Sequence, residues 1–487
     1  MLSVLAIIIP LIVLVIMIWK KVNIAVSAIV CTGLMALMSG LNIYNCLTND
    51  YMEAFVGYIK NYWPLIFLGA SFGKAMQLGG GAEDLANLLT SKLGTKFTIA
   101  VLCVTTLILS YGGVSCYVIV FVMYPIALNM FKKADLPRHL IPAIVAAGSF
   151  TAVNLGPGSP SVVNNIPVKY LGTSATVLPV YSAIIAGSFF LLALFYCLWQ
   201  EKVARKKGEH FSADAATLKM MAEYEQKEHG NGAIAFIPLA LVVIPLFFGV
   251  NVLYTLLMGW ISIAILYWDK IDNKIEILNC GVSDAMGAIV ATSAVVGFGG
   301  VAKLTAGYTT LVNVATSMGG SPLISFSLGT ALLSGACGSG SGGLTLALET
   351  LAPRYLEMGI NPGVLHKIAS AACITLDSLP HNGVMVTVLA CCGLTHKEGY
   401  KHLFAITVVG SIIILIEAIV LATMTKMFCS EMCVRVCDMG LQIMGGYGLC
   451  DEYQVERMYR DAKLLTIGEG TSEICRMVVG RFVLKEY

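Results

Sequence analysis

Residues 154–165 read NLGPGSPSVVNN, with two prolines and two glycines set inside an otherwise apolar part of the chain. Proline removes a backbone donor and glycine frees the backbone, so a helix entering this stretch must break. The amides and carbonyls released by the break need partners. Lipid offers none, so between membrane segments such a stretch lines a cavity or is buried in protein. A second stretch, DSLPHNGVMVT at 377–387, has the same character, and Gly158 and Gly383 stand 225 positions apart. These two interruptions set the expected fold: an all-α polytopic membrane protein with broken or re-entrant helices.

Composition supports the membrane setting. Of 487 residues, 57% are hydrophobic and 12% charged, with mean hydropathy +0.80, whereas a soluble domain carries about 25% charged residues. The formal charge of +2 and the lack of a long basic run exclude nucleic acid as a partner. Fifteen cysteines occur without paired spacing, which reads as reduced thiols and no disulfide framework. MLSVLAIIIPLIVLVIMIWKK at 1–21 has neither a basic start nor a small-residue cleavage site, and reads as a first transmembrane helix.

Apolar runs suited to a ~30 Å hydrocarbon layer are expected near 2–18, 22–41, 61–79, 97–111, 113–131, 140–154 and 176–199. A second series follows near 234–249, 251–268, 284–303, 322–336, 344–358, 365–379 and 402–426. Some are short or glycine-rich, so about twelve full crossings plus re-entrant pieces are expected. The organisation is then a first repeat over 1–200, a polar linker over 201–232, a second repeat over 233–427 and a tail over 428–487. Lys20 and Lys21, Lys132, Lys133 and Arg138, and Arg205 to Lys207 fall on one side when the spans are threaded alternately. By the positive-inside rule that side is the cytoplasm of a multi-pass plasma-membrane protein, with the N-terminus outside and the tail within.

The halves share a pattern. IPLIVLVI at 9–16 matches IPLALVVI at 237–244 at an offset of 228, which also brings Val22-Asn23 onto Val250-Asn251. DLANLLTS at 84–91 meets TLVNVATS at 310–317 at an offset of 226. A nearly constant offset is the mark of a duplicated unit. Because the first copy starts outside and the second follows a cytoplasmic linker, the repeats are expected to be inverted, an architecture in which the substrate sits where paired helices are broken.

A helix restarting after each break aims its positive end at an anion. Asn154, Gly156, Gly158, Ser159, Ser161 and Asn164 in the first break, and Ser378, His381 and Asn382 in the second, are therefore candidate substrate contacts. SGACGSGSGG at 334–343 occupies the place of SYGGVSCY at 110–117, adding Ser339 and Ser341 opposite Ser115, although small residues also serve close helix packing. Asp377 and His381 are the candidates for proton coupling, since ionisable groups at depth are costly and histidine titrates near neutrality. Lys74 and Lys303 read as snorkelling side chains, and His366 and His396 are given no role.

The stretches GGVSCYVIVFVMYPIALNMFKKADLPRHLIPAIVAAGSFT (112–151), GPGSPSVVNNIPVKYLGTSA (156–175) and DSLPHNGVMVTVLACCGLTHKEGYK (377–401) resemble the gluconate:proton symporter family, which includes gluconate and 3-hydroxybutyrate permeases. The resemblance spans about residues 1–427. It implies proton-coupled uptake of a small hydroxy-carboxylate, with sodium as the other candidate ion. The family's Leu-Pro-Gly-Thr-Pro loop stands here as Leu155-Gly-Pro-Gly-Ser-Pro160, one residue longer. The tail, LQIMGGYGLCDEYQVERMYRDAKLLTIGEGTSEICRMVVGRFVLK at 441–485, resembles the last helices of acyl-CoA dehydrogenases, where the glutamate matching Glu469 can act as catalytic base.

Two function classes follow. One is a secondary transporter, with the tail as an inactive remnant and no cofactor or metal. The other is a membrane-tethered, acyl-CoA dehydrogenase-related flavoprotein using Glu469. The second is disfavoured because the 60 residues after Met427 cannot enclose a flavin and an acyl chain. An ion channel lacks its carbonyl filter, and no phosphate-binding loop supplies a primary pump with a motor. Cys429, Cys433 and Cys437 form one helical stripe suited to packing. The oligomeric state stays open, a homo-oligomer included.

Overall fold

The computed structural model describes residues 2–20, 22–93, 97–214, 217–218, 221–222, 230, 232–271, 274–279, 281–308, 310, 322–380, 382–468 and 471–483. Among them every regular element is helical. The first half runs α1 (Leu2–Trp19), α2 (Ile24–Met38), α3 (Tyr51–Leu78), α4 (Gly81–Leu93), α5 (Thr98–Tyr111), α6 (Cys116–Ala134), α7 (Ile141–Ser149), α8 (Ala152–Leu155), α9 (Val162–Leu171) and α10 (Pro179–Lys206). The second half runs α11 (Phe236–Phe247), α12 (Val252–Leu266), α13 (Val282–Ala302), α14 (Pro322–Cys337), α15 (Gly340–Thr350), α16 (Pro362–Cys373), α17 (Gly383–Cys391), α18 (His396–Phe404) and α19 (Ser411–Met444). Two tail helices follow, α20 (Val455–Leu465) and α21 (Ser472–Val483).

Three helical stretches, Pro179–Lys206, Ala285–Ala302 and His396–Leu449, are long and apolar enough to cross a membrane, and six more are apolar but shorter. The sequence predicts a single span over 140–154. The structure divides it, because Thr151 leaves the helical region at φ −100, ψ −105 and ends α7 before α8 begins. Leu191, Phe195, Phe248 and Ile265 are each more than 60% exposed. An outer surface that apolar suits lipid and would be unstable against water.

The two halves interdigitate. The α13 helix packs on α2 and α3, and its Ala294, Phe298 and Val301 close a core with Ile7, Leu14, Cys31 and Met35. Local signals recur at the predicted offset: Asn23 Oδ1 caps α2 through the Ala25 amide, and Asn251 Oδ1 caps α12 through the Leu253 amide, both at 2.9 Å. The beginning of the polar linker folds back on the corner after α6. There His210 and the Phe211 amide donate to Asp135 at 2.7 and 3.0 Å, holding that carboxyl below its usual range.

The tail is continuous with the membrane body. No break marks the expected boundary at 427–428; α19 runs through it to Met444. The α20 and α21 helices then fold back along α19, with Cys475 and Val478 buried and Arg476 paired to Glu431 at 2.6 Å. His381 and Glu469, and most of the 310–317 match, lie outside the described residues.

Candidate functional site

Four helices begin at one cavity. Its volume is about 1180 Å³, and its wall contains the N-cap residues of α6, α9, α15 and α17: Ser115, Ser161, Ser339 and Asn382. Each helix start carries about half a positive charge, so the four together present on the order of two charges to whatever occupies the space. Each start has a local cause. Gly113 and Gly338 adopt left-handed φ of 94° and 57° just before Ser115 and Ser339. Pro160 and Pro380 precede the caps of α9 and α17 and forbid earlier helix.

The hydroxyls nearest the cavity are sparsely used. Ser115 Oγ accepts from the Val118 amide at 3.4 Å and Ser339 Oγ from the Gly342 amide at 3.3 Å, which leaves each hydroxyl proton able to donate. Ser341 lies 3.3 Å from Ser339 and 3.5 Å from Thr292, and all three line the cavity. Asn154 also reaches the wall, where its Oδ1 accepts from Ser161 Oγ at 2.7 Å. The remaining surface is largely aliphatic, with Leu65, Ile66, Val153, Val162, Leu256 and Val384. Among the described lining residues there is no lysine or arginine; Asp377, His396 and the Cys116 thiol are the ionisable side chains. Asp377 Oδ1 accepts from Ser378 Oγ at 2.7 Å. Its Oδ2 faces the first residue of α15, so closely that a Cβ on Gly340 would lie 2.7 Å away.

Several predicted contacts stand behind this wall. Ser159 is fully buried, donating to the Val153 carbonyl and accepting from the Ser161 amide at 3.2 Å. Asn164 is also buried, and its amide nitrogen donates to Ser159 O and Ala175 O at 3.2 and 3.0 Å. Both therefore hold the first break in shape and do not face the cavity. Gly156 and Gly158 serve the backbone: a Cβ at 156 would lie 2.6 Å from the Tyr111 hydroxyl, which donates to Pro157 O, and Gly158 has φ +64. Ser378 is buried and acts through Asp377. Asn382 lines the cavity but has no donor to spare. Its Nδ2 bonds Gly338 O and Asp377 O at 3.1 and 2.8 Å, while its Oδ1 caps the Val384 and Met385 amides at 2.7 and 3.2 Å.

Four residues carry no substrate or coupling role in the sequence reading, Lys303 having been read as snorkelling and His396 given no role. Thr292 sits inside an apolar run with no motif around it. His396 lines the cavity and bonds Pro380 O at 3.1 Å through Nε2, a contact 16 positions along the chain. Lys303 pairs with Glu349 at 3.0 Å, and that glutamate also accepts from Tyr170 at 2.7 Å. Lys367 is wholly buried against the first break.

Residues 12–277 match the family model described as citrate transporter (CitMHS), and residues 416–484 match the C-terminal domain of acyl-CoA dehydrogenases. The chain is 31% identical over 404 residues to a Bacillus subtilis (strain 168) protein named uncharacterized transporter YxjC, covering 74% of this chain and 86% of that one. Its tail is 58% identical over 64 residues to the probable acyl-CoA dehydrogenase YngJ of the same organism, which is 13% of this chain and 17% of the dehydrogenase. The fold resembles the crystal structure of the YdaH transporter from Alcanivorax borkumensis, with TM-score 0.50 and 18% identity over 75% of this chain and 86% of that one.

Proposed function

The chain belongs to the citrate transporter family, and from that footing we propose that it performs proton-coupled uptake of a small hydroxy-carboxylate across the cell membrane. The observation that carries this reading is the convergence of four helix starts on one cavity. Partial positive charge from backbone holds a carboxylate without a fixed cation, and hydroxyls on Ser115, Ser339 and Ser341 suit the carboxylate and a neighbouring hydroxyl group. Aliphatic walls and the lack of lysine or arginine among the described lining residues favour a monocarboxylate with a short carbon chain. We rank 3-hydroxybutyrate ahead of gluconate, and both ahead of a citrate trianion.

Residues 1–200 and 233–427 are taken as inverted repeats of about twelve crossings, joined by a cytoplasmic linker over 201–232. The paired breaks and the matching Asn23 and Asn251 caps support this. The proton is assigned to Asp377, the carboxyl of the cavity wall, with His381 as its neighbour in sequence. Uptake into proteoliposomes of labelled 3-hydroxybutyrate, gluconate and citrate under an imposed pH gradient tests the reading. No uptake of any of the three would reject it.

Within that assay Ser339→Ala should lower apparent affinity roughly ten- to a hundredfold, the loss of one hydrogen bond to a charged group. Ser159→Ala should instead lower thermal stability in detergent, because its hydroxyl is committed to the break. The reverse pattern would place the anion behind the wall.

The tail is read as a cytoplasmic appendage. Removing 445–487 keeps α19 whole and should leave uptake nearly intact, as should Glu469→Gln. The flavoprotein reading would return if the purified protein bound FAD stoichiometrically and reduced an acceptor with an acyl-CoA in a Glu469-dependent way.

A further inference from the structure

Among the described residues Lys367 is the one fully buried lysine or arginine. Its side chain is 0% exposed, on α16 of the second half, and its ammonium points into the first break. Nζ donates to Asn164 Oδ1 at 2.7 Å and lies 3.4 Å from the carbonyl oxygen of Leu155, the last residue of α8. No carboxylate is among its hydrogen-bond partners in the described residues. A lysine nitrogen held by two neutral oxygens, with no anion among its described partners, stands where a bound monovalent cation would. Inverted-repeat transporters place coupling cations at unwound carbonyls and the negative ends of half-helices.

The neighbours on α16 show that the seam is built. His366 Nδ1 meets Thr173 Oγ1, just past α9, at 2.7 Å and Ser370 Oγ donates to Val163 O at 3.2 Å, so three neighbouring side chains of α16 bond the first break and the helix that leaves it. From Lys367 the connections lead to the cavity: Asn164 to Ser159 O, Ser159 Oγ to the Ser161 amide, and Ser161 Oγ to Asn154.

We propose that the Lys367 ammonium is a tethered cation filling a monovalent-cation site in the first break, so that the anion-accepting form of the cavity needs no sodium. This rests on the transport reading above for its consequence, and on the local geometry for the site itself. A positive charge at this place satisfies the Leu155 and Asn164 oxygens and draws the 155–164 backbone inward. That leaves the start of α9 facing the cavity.

The test uses the full chain, in detergent for thermal unfolding and in proteoliposomes for uptake, at constant ionic strength in choline, sodium or methylammonium chloride. The wild type should unfold at one temperature in all three and transport equally in choline and sodium. Lys367→Ala removes the ammonium and leaves its space. It should be inactive in choline and regain activity roughly tenfold or more in sodium or methylammonium, with a concentration-dependent rise in unfolding temperature. Lys367→Met fills the space without charge and should be inactive in every salt. Normal uptake by Lys367→Met, or a folded Lys367→Ala that ignores the cation, would overturn the proposal. If Lys367→Ala fails to fold, Lys367→Met decides the question by its uptake. Absence of wild-type uptake would instead reject the transport reading, and the thermal measurement would still report on the cation site.

Discussion

Asp377→Asn should abolish accumulation driven by a pH gradient, by about a hundredfold or more, while counterflow exchange of labelled substrate persists. The charged Asp377 occupies the start of α15, where its Oδ2 faces Gly340. A substrate carboxylate entering the same cavity meets this like charge. At about 5 Å and an effective dielectric near 20, the repulsion is roughly 3 kcal/mol, which corresponds to about two orders of magnitude in affinity. Protonating Asp377 removes the repulsion, so proton and anion bind together and leave together. Asparagine imitates the protonated form at every pH. The carrier then still binds and reorients loaded, but no longer draws substrate with the gradient. Equal residual activity in both assays would reduce Asp377 to a structural residue.

The three glycines that open α15 should separate packing from coupling. A Cβ on Gly343 would lie 2.2 Å from the Ser334 Cα and 2.4 Å from its amide nitrogen, both backbone atoms of α14. Backbone cannot swing aside, so Gly343→Ala must push α14 from α15. We expect a loss of several kcal/mol, at or above the usual range of about 1–3 kcal/mol for overpacking, and little folded protein in the membrane. One position earlier, Gly342→Ala meets nothing nearer than Ser339 Oγ at 3.5 Å. It should be tolerated, or stabilise by about 0.5–1 kcal/mol through helix propensity. Gly340→Ala falls between these. Its Cβ would press on Asp377 Oδ2 at 2.7 Å, and a carboxylate can rotate away. The protein should fold and lose gradient-driven uptake. Unfolding temperatures in detergent check the series, and equal stability of the 342 and 343 variants would contradict it.

Much of the site was legible where the chain states its own interruption. Proline and glycine at 156–160 and 380–383 locate the breaks, and serine or asparagine before an apolar run marks a helix start. Ser161 and Asn382 were readable from the breaks, and Ser115 and Ser339 from the matching glycine- and serine-rich tracts. What a break does with each side chain was not. A coil has no periodicity from which inside and outside can be told, so Ser159 and Asn164 looked as available as Ser161. Asn382 looked like a donor because one of its two acceptors, the Gly338 carbonyl, lies 44 positions earlier. Lys367 was invisible for a similar reason. Its partner Asn164 is 203 positions away in the other half, and only the packed body brings them together. The expected end of the membrane domain at 427 follows a change in composition that the backbone ignores, since every residue from Ser411 to Met444 keeps helical form.

That unbroken helix makes the tail a mechanical pointer. The α19 rod spans about 50 Å at 1.5 Å per residue and is preceded by the wide turn at Ala405–Gly410. If the body rocks about that turn by about 5°, the far end of a rigid rod this long sweeps about 4 Å. The tail can thus act as an indicator needle. A distance probe on the exposed Cys450, just past the rod's end, would display motions of the buried carrier in the open solution, where they are easiest to read.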